Sequence, residues 1–303
     1  MPPPPQARPD AYPRLVTLPF WASDVCLVAA QAGTVALAAP KRIALFDRLR
    51  SRWWGLVPLA SIVAVIFGIR AASDSADGLT YLALIAVPPL AALALGWCMR
   101  RADPRLALLV LPLFALAWAD RKGLAGEAAG VALLALSCVT LGVLLVQVAP
   151  LGWLKVGIVA MSIADTWLVI AQLLQPANDV LNAAAPGLGL PQLQRALFGS
   201  AVMGYGDYFV AGVFGAIVAA ERGRQGAAAR LTLLLALAFD LLFFAVDLLP
   251  ATVPVALALV LRELGSRRAA RTRRGPSRRR PALRAESPGA ATTIPRGRGA
   301  PAS

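Results

Sequence analysis

The chain contains no histidine. That absence removes several chemistries at once. A His-Glu-x-x-His zinc protease is impossible, and no serine or cysteine nucleophile can pair with an imidazole base. A rhomboid-type serine protease is excluded on the same ground. Cysteine is scarce as well. Cys26, Cys98 and Cys138 lie far apart inside apolar runs and lack any Cys-x-x-Cys spacing. Neither a zinc site nor a disulfide framework is indicated, and each reads as small apolar packing. No metal and no cofactor is expected. Acidic residues number 16 against 30 basic ones, and the halves of the chain show no internal repeat.

What the chain has in excess is apolar sequence. Of its 303 residues 58% are hydrophobic, and the mean hydropathy is +0.66; a soluble domain is usually about 45–50% apolar. The excess lies in nine runs, at residues 15–39, 53–69, 79–99, 106–119, 128–148, 156–174, 196–220, 231–248 and 251–264. Runs that approach bilayer-crossing length mark transmembrane helices. The expected fold is an all-α integral membrane protein of about nine spans. Residues 1–14 form a Pro-rich disordered arm, residues 15–264 the membrane domain, and residues 265–303 a disordered basic tail. Ala36-Leu37-Ala38 has the small-residue character of a signal cleavage site. The length of the first run and Asp24 within it favour a retained span.

The net charge of +14 suggests a nucleic-acid binder until the charges are placed. Twelve of the Lys and Arg residues follow Leu261, and most of the rest fall between apolar runs. With the N-terminus outside, the inner loops hold 12 and the outer side only six. The positive-inside rule then gives an N-out, C-in protein of the cell membrane with an odd number of spans. The lipid bilayer is the expected partner and no nucleic acid is; the tail reads as a solvated cytoplasmic segment.

Five aspartates fall within or at the ends of the runs: Asp24, Asp165, Asp207, Asp240 and Asp247. A carboxylate in hydrocarbon costs roughly 2.5–3.5 kcal/mol on insertion scales and is a functional candidate by default. Asp24 and Asp247 lie toward run ends, where interfacial or capping roles suffice. Asp240 is deeper. Asp165 is nine residues into the sixth run, about 14 Å deep, and Asp207 eleven into the seventh, about 16 Å deep, counted as helix. In a core of about 30 Å both approach the midplane on consecutive spans. Two neighbouring carboxylates share one proton. The ionised member then serves as general base toward water, and the protonated member as general acid toward a carbonyl oxygen. That chemistry needs neither histidine nor metal. The pair titrates as a unit, so the two roles cannot be assigned to one or other Asp.

The flanking residues add to this. Gly204 and Gly206 precede Asp207, and two glycines permit a helix break or a close backbone approach. An exposed backbone there suits an unwound substrate segment added as a strand; helix packing through small residues is the alternative. Pro250 and Pro254 leave backbone groups free at the start of the ninth run, or form a simple turn between helices.

The set Asp165 with Val169, Gly204-Tyr205-Gly206-Asp207 and Pro250-Ala251 resembles the GxGD intramembrane aspartyl proteases, the presenilin and signal peptide peptidase family. In that family the corresponding motifs lie in the sixth, seventh and ninth spans. Ala164 stands where the family has an aromatic, and Thr252 where it has leucine. The resemblance covers about residues 156–264. It implies a presenilin-like arrangement, an Asp165/Asp207 catalytic dyad, and substrate binding by Gly204, Tyr205, Gly206, Pro250, Ala251 and Thr252. The N-out topology is similar to that of signal peptide peptidase. It implies transmembrane peptide or protein substrates of type II orientation, including signal peptide remnants. The short connection between spans six and seven implies a single chain without obligatory subunits. Two other readings stay open. One is a proton- or cation-coupled transporter, for which Asp24 and Asp240 speak. The other is a non-catalytic membrane-binding relative of the same fold. A prepilin peptidase would carry a basic residue where Phe209 stands.

Overall fold

The computed structural model describes residues 18–39, 51, 53, 54, 57, 60, 74–171, 184, 186–246 and 249–273. The Pro-rich arm, nearly all of the second apolar run, the segment 172–183, Asp247 and the tail beyond Arg273 lie outside the described residues. Two compact units are distinguished, Met1–Leu264 and Gly265–Ser303.

The fold is helical. Eight α-helices are described: α1 (Phe20–Leu37), α2 (Asp74–Leu93), α3 (Val110–Ala119), α4 (Leu124–Val148), α5 (Leu151–Ile170), α6 (Tyr205–Ala220), α7 (Gln225–Asp240) and α8 (Thr252–Arg273). Five helical stretches are long and apolar enough to cross a membrane: Phe20–Leu37, Gly78–Cys98, Leu124–Val148, Leu151–Ile170 and Gln225–Phe244. Large apolar side chains such as Ile85, Leu111, Ile163, Trp167 and Ile170 are more than 60% exposed. A water-soluble surface rarely carries apolar patches on that scale; against lipid tails they need no cover. The chain is a membrane protein on these grounds.

Several boundaries differ from those drawn on hydropathy. The third run ends in a single π-helical turn, Ala94–Cys98, after a helix that holds Pro88 and Pro89. Proline removes a helix donor and crowds the preceding turn, which loosens the local hydrogen-bond ladder. The fourth run begins as a 3-10 segment, Pro104–Leu109, started by Asp103, whose carboxylate accepts the Arg105 N–H. The eighth closes in another, Leu241–Phe244. The last helix runs nine residues past the boundary set by composition, to Arg273. Arg and Ala are strong helix formers, and extending an existing helix is easy once it is nucleated.

The largest difference is at residues 195–204. Hydropathy predicts helix from Ala196; the structure has a hairpin, β1 (Arg195–Phe198) and β2 (Ala201–Gly204), paired antiparallel with Phe198 opposite Ala201. Gly199 makes the turn at φ 56°, a conformation that favours glycine in a two-residue hairpin loop. Its N–H donates to Glu127 Oε2 at 2.6 Å. The Ser200 N–H donates to Ser23 Oγ at 3.1 Å. These bonds hold the turn against α4 and α1.

α4 and α6 form the centre. Two thirds of the α4 span is buried, and every residue of α6 from Val210 to Ala219 is buried. Apolar sequence on all sides suits a helix enclosed by others. Lipid offers no hydrophobic force to drive two helices together, so close backbone packing has to supply it. Gly142 and Gly212 meet where α4 crosses α6. A Cβ at Gly212 would fall 2.3 Å from the Cys138 carbonyl oxygen, and one at Gly215 would fall 2.5 Å from that of Val35 on α1.

An ionic network joins three helices at one end. Lys155 of α5 contacts Glu221 at 2.5 Å and Glu263 at 2.6 Å, and Arg262 contacts Glu221 at 2.6 Å. Glu221 directly follows α6; Arg262 and Glu263 belong to α8. Burial raises the Glu221 carboxyl, but Lys155 and Arg262 outweigh it and hold the group below its ordinary value of 4.5. A depressed carboxyl stabilises the folded state above its unfolded value, and that contribution is lost as pH falls through the lower folded value. Glu221→Gln is therefore expected to lower stability at neutral pH by about 0.5–1 kcal/mol, the scale of partly solvated pairs. In thermal melts in detergent, its difference from wild type should close as pH drops below 4.5.

Candidate active site

The three sequence motifs converge. Asp165 lies on α5, five residues before its last residue Ile170. Asp207 lies in the first turn of α6. Thr252 is the first residue of α8. Asp165 and Asp207 are near enough to act on each other electrostatically, and both are half-buried. Thr252, 2% exposed, donates its hydroxyl to Asp165 Oδ2 at 2.7 Å.

Asp207 is not eleven residues deep in a helix, because residues 195–204 are the hairpin. Its Oδ2 accepts the Gly204 N–H at 3.0 Å, which closes the strand-to-helix junction. A carboxylate three residues into a helix suits that position, where unpaired N–H groups and the helix dipole favour negative charge. The N-terminus of α8 opens at the same site, so two helix N-termini meet around the aspartates.

Gly204 is exposed and Gly206 half-buried. A Cβ on Gly206 would meet only the Met161 methyl, at 3.6 Å. A Cβ on Gly204, which pairs with Arg195 of β1, would meet Asp207 Oδ2 at 3.1 Å, so the more open of the two positions is Gly206. Tyr205 is turned to α4, its hydroxyl 2.9 Å from Ser137 Oγ. Pro250 is buried and Ala251 half-buried. The Val253 N–H donates to the Pro250 carbonyl at 3.1 Å, and Pro254 falls in the first turn of α8. Helix donors have no intrahelical partner there, so the two prolines begin this helix rather than break it.

Gln31 was not evident from sequence. It is 1% exposed, and its Nε2 donates to the main-chain carbonyls of Asp207 and Ala251, each at 3.2 Å. One side chain from α1 thus ties the second motif to the third. The available signal was an amide inside an apolar run, since buried polar groups are nearly always hydrogen-bonded. Asp24 was expected near the surface. It is the fifth residue of α1, is buried within the protein at 7% exposed, and its carboxyl lies beside that of Asp240. One oxygen of each, Oδ2, has no hydrogen-bond partner among the described residues. This carboxyl pair, between α1 and the end of α7, stands apart from the contacts described for Asp165 and Asp207.

No group of three or more His, Cys, Asp or Glu side chains lies together as a metal site among the described residues. What the site offers is a carboxylate pair, two helix N-termini and open space beside Gly206. Compared with protein-family models, curated proteins and solved structures, the chain matches none.

Proposed function

We propose that the chain is an intramembrane aspartyl protease of the cell membrane, with nine spans, the N-terminus outside and the C-terminus inside. The observation that carries the reading is the meeting of Asp165, Asp207 and the Pro250–Ala251–Thr252 turn, brought from three helices whose sequence order and spacing resemble the GxGD proteases. The ionic network fits the same topology, because it gathers the ends of α5, α6 and α8 that would face the inner surface.

The chemistry follows from the pair. Two carboxyl groups that act on each other hold one proton between them, since both cannot be ionised together without strong repulsion. The ionised one removes a proton from water, and the resulting hydroxide adds to the scissile carbonyl carbon. The protonated one gives its proton to the carbonyl oxygen. Collapse of the tetrahedral adduct re-forms the carbonyl and breaks the C–N bond, with a proton passing to the leaving nitrogen. A helical substrate must first unwind. The backbone beside Gly204 and Gly206, continuous with β2, is suited to receive it as an added strand. The substrates proposed are transmembrane segments of type II orientation, including signal peptide remnants, and the protease is proposed to work as a single chain.

The purified protein in detergent or liposomes is expected to cleave a labelled type II transmembrane peptide. Cleavage should persist in EDTA, because no step needs a metal. Folded protein that cleaves none of several such peptides, or cleavage lost to the chelator and restored by metal, would defeat the reading. The Asp24–Asp240 pair favours a second one, a proton- or cation-coupled transporter. Ion-driven uptake into liposomes, lost on Asp240→Asn, would select it.

A further inference from the structure

The hydroxyl of Thr252 has a task that its position at the head of α8 does not require. Almost no solvent reaches it, so it must find a partner inside the protein. That partner is Asp165 Oδ2 at 2.7 Å, a separation typical of a strong bond to a carboxylate. Ala164, the neighbour of Asp165, has no polar side-chain atom with which to do the same. The backbone at Thr252 is fixed in turn. The preceding carbonyl, that of Ala251, is held by Gln31, and the same Nε2 holds the carbonyl of Asp207. A continuous path therefore runs from the backbone of one aspartate through Gln31 and the head of α8 to the side chain of the other.

We propose that Thr252 is a positioning residue that holds the Asp165 carboxylate in register with Asp207 through its hydroxyl. The proposal rests on the protease reading. Its steric share is set aside by Thr252→Val, which keeps the shape and removes the hydroxyl; Thr252→Ser keeps the hydroxyl and removes a methyl.

Peptide cleavage kinetics and infrared spectra of the full chain in detergent, labelled with carboxyl-13C aspartate, test it. Thr252→Val is expected to lower kcat by about 10- to 100-fold, the scale for losing a hydrogen bond to a charged group. KM should stay within about twofold of wild type, because the hydroxyl that is removed is donated to Asp165 and not to substrate, and valine keeps the shape of the side chain. Thr252→Ser should restore most of kcat. In the infrared, Thr252→Val should shift an aspartate carboxyl band, and the shift should vanish in an Asp165→Asn background. An unchanged kcat in Thr252→Val, a loss confined to KM, or a serine variant as poor as valine overturns the proposal. So does an absent infrared shift, or one that persists without Asp165. If the wild-type protein cleaves nothing, the protease reading falls, and the spectra still decide the Thr252–Asp165 contact.

Discussion

Replacing Asp207 by alanine is expected to reduce cleavage by about four orders of magnitude or more, the scale for removing one member of a jointly acting catalytic unit. Asp165→Asn should do the same, and the double variant should be no worse than either single one, because half of the pair has no separate activity to lose. The measurement is single-turnover cleavage of a transmembrane peptide, with folding confirmed by melting. Asp240→Asn is the control and should stay within about threefold of wild type, since among the described residues no hydrogen bond links Asp240 to Asp165 or Asp207. The opposite pattern, an indispensable Asp240 beside a dispensable Asp207, would move function to the second carboxyl pair.

The second large effect concerns stability. Gly212→Val should prevent folding or lower stability by about 3 kcal/mol or more, the upper range for overpacking. The first added carbon already falls 2.3 Å from the Cys138 carbonyl oxygen and 2.7 Å from its carbon. Backbone atoms of a buried helix cannot move aside as a flexible side chain can. Gly142→Val meets the Gly212 carbonyl at 2.4 Å and should fail in the same way. Gly33→Val, on the partly buried α1 and with nothing within 4 Å of its added carbon, should be tolerated. Melting in detergent and the yield of monodisperse protein would register the contrast. Equal tolerance at Gly212 and Gly33 would mean that α4 and α6 do not cross at these glycines.

The nearness of Asp165 to Asp207 was legible because charge inside an apolar run is conspicuous and because the motif residues keep their order along the chain. The helical depth counted for Asp207 does not hold, because residues 195–204 are a hairpin. Hydropathy is blind to whether an apolar stretch is helix or strand, so residues 195–204 merged with the helix that follows. The turn signal was present: Gly199-Ser200 separates two four-residue runs, a spacing that favours a hairpin. Gln31 and the Asp24–Asp240 pairing were hidden for another reason. Helical periodicity fixes which residues share a face, but not which other helix that face meets. The first five apolar runs yielded no motif, yet α1 and α4 supply the amide that links two motifs and the glycine that admits α6. Their contribution lies in backbone proximity, for which small residues in an Ala- and Gly-rich sequence give little contrast.

The ionic network doubles as a ruler. Along the helix axes Asp165 lies about 15 Å from Lys155, Thr252 about 15 Å from Arg262, and Asp207 about 21 Å from Glu221, at 1.5 Å per residue. α5 and α6 thus set the two aspartates about 15 Å and about 21 Å from one charged layer, and α8 sets Thr252 at about 15 Å. A peptide bond presented to them would be cut at a fixed height, whatever its sequence. A substrate helix anchored by its own charges at that layer would keep a stub of roughly ten to fourteen residues on that side. Product length would then report distance from the anchor rather than residue identity. Lengthening a substrate by one turn between its charged anchor and its midpoint would shift the cut by the same number of residues.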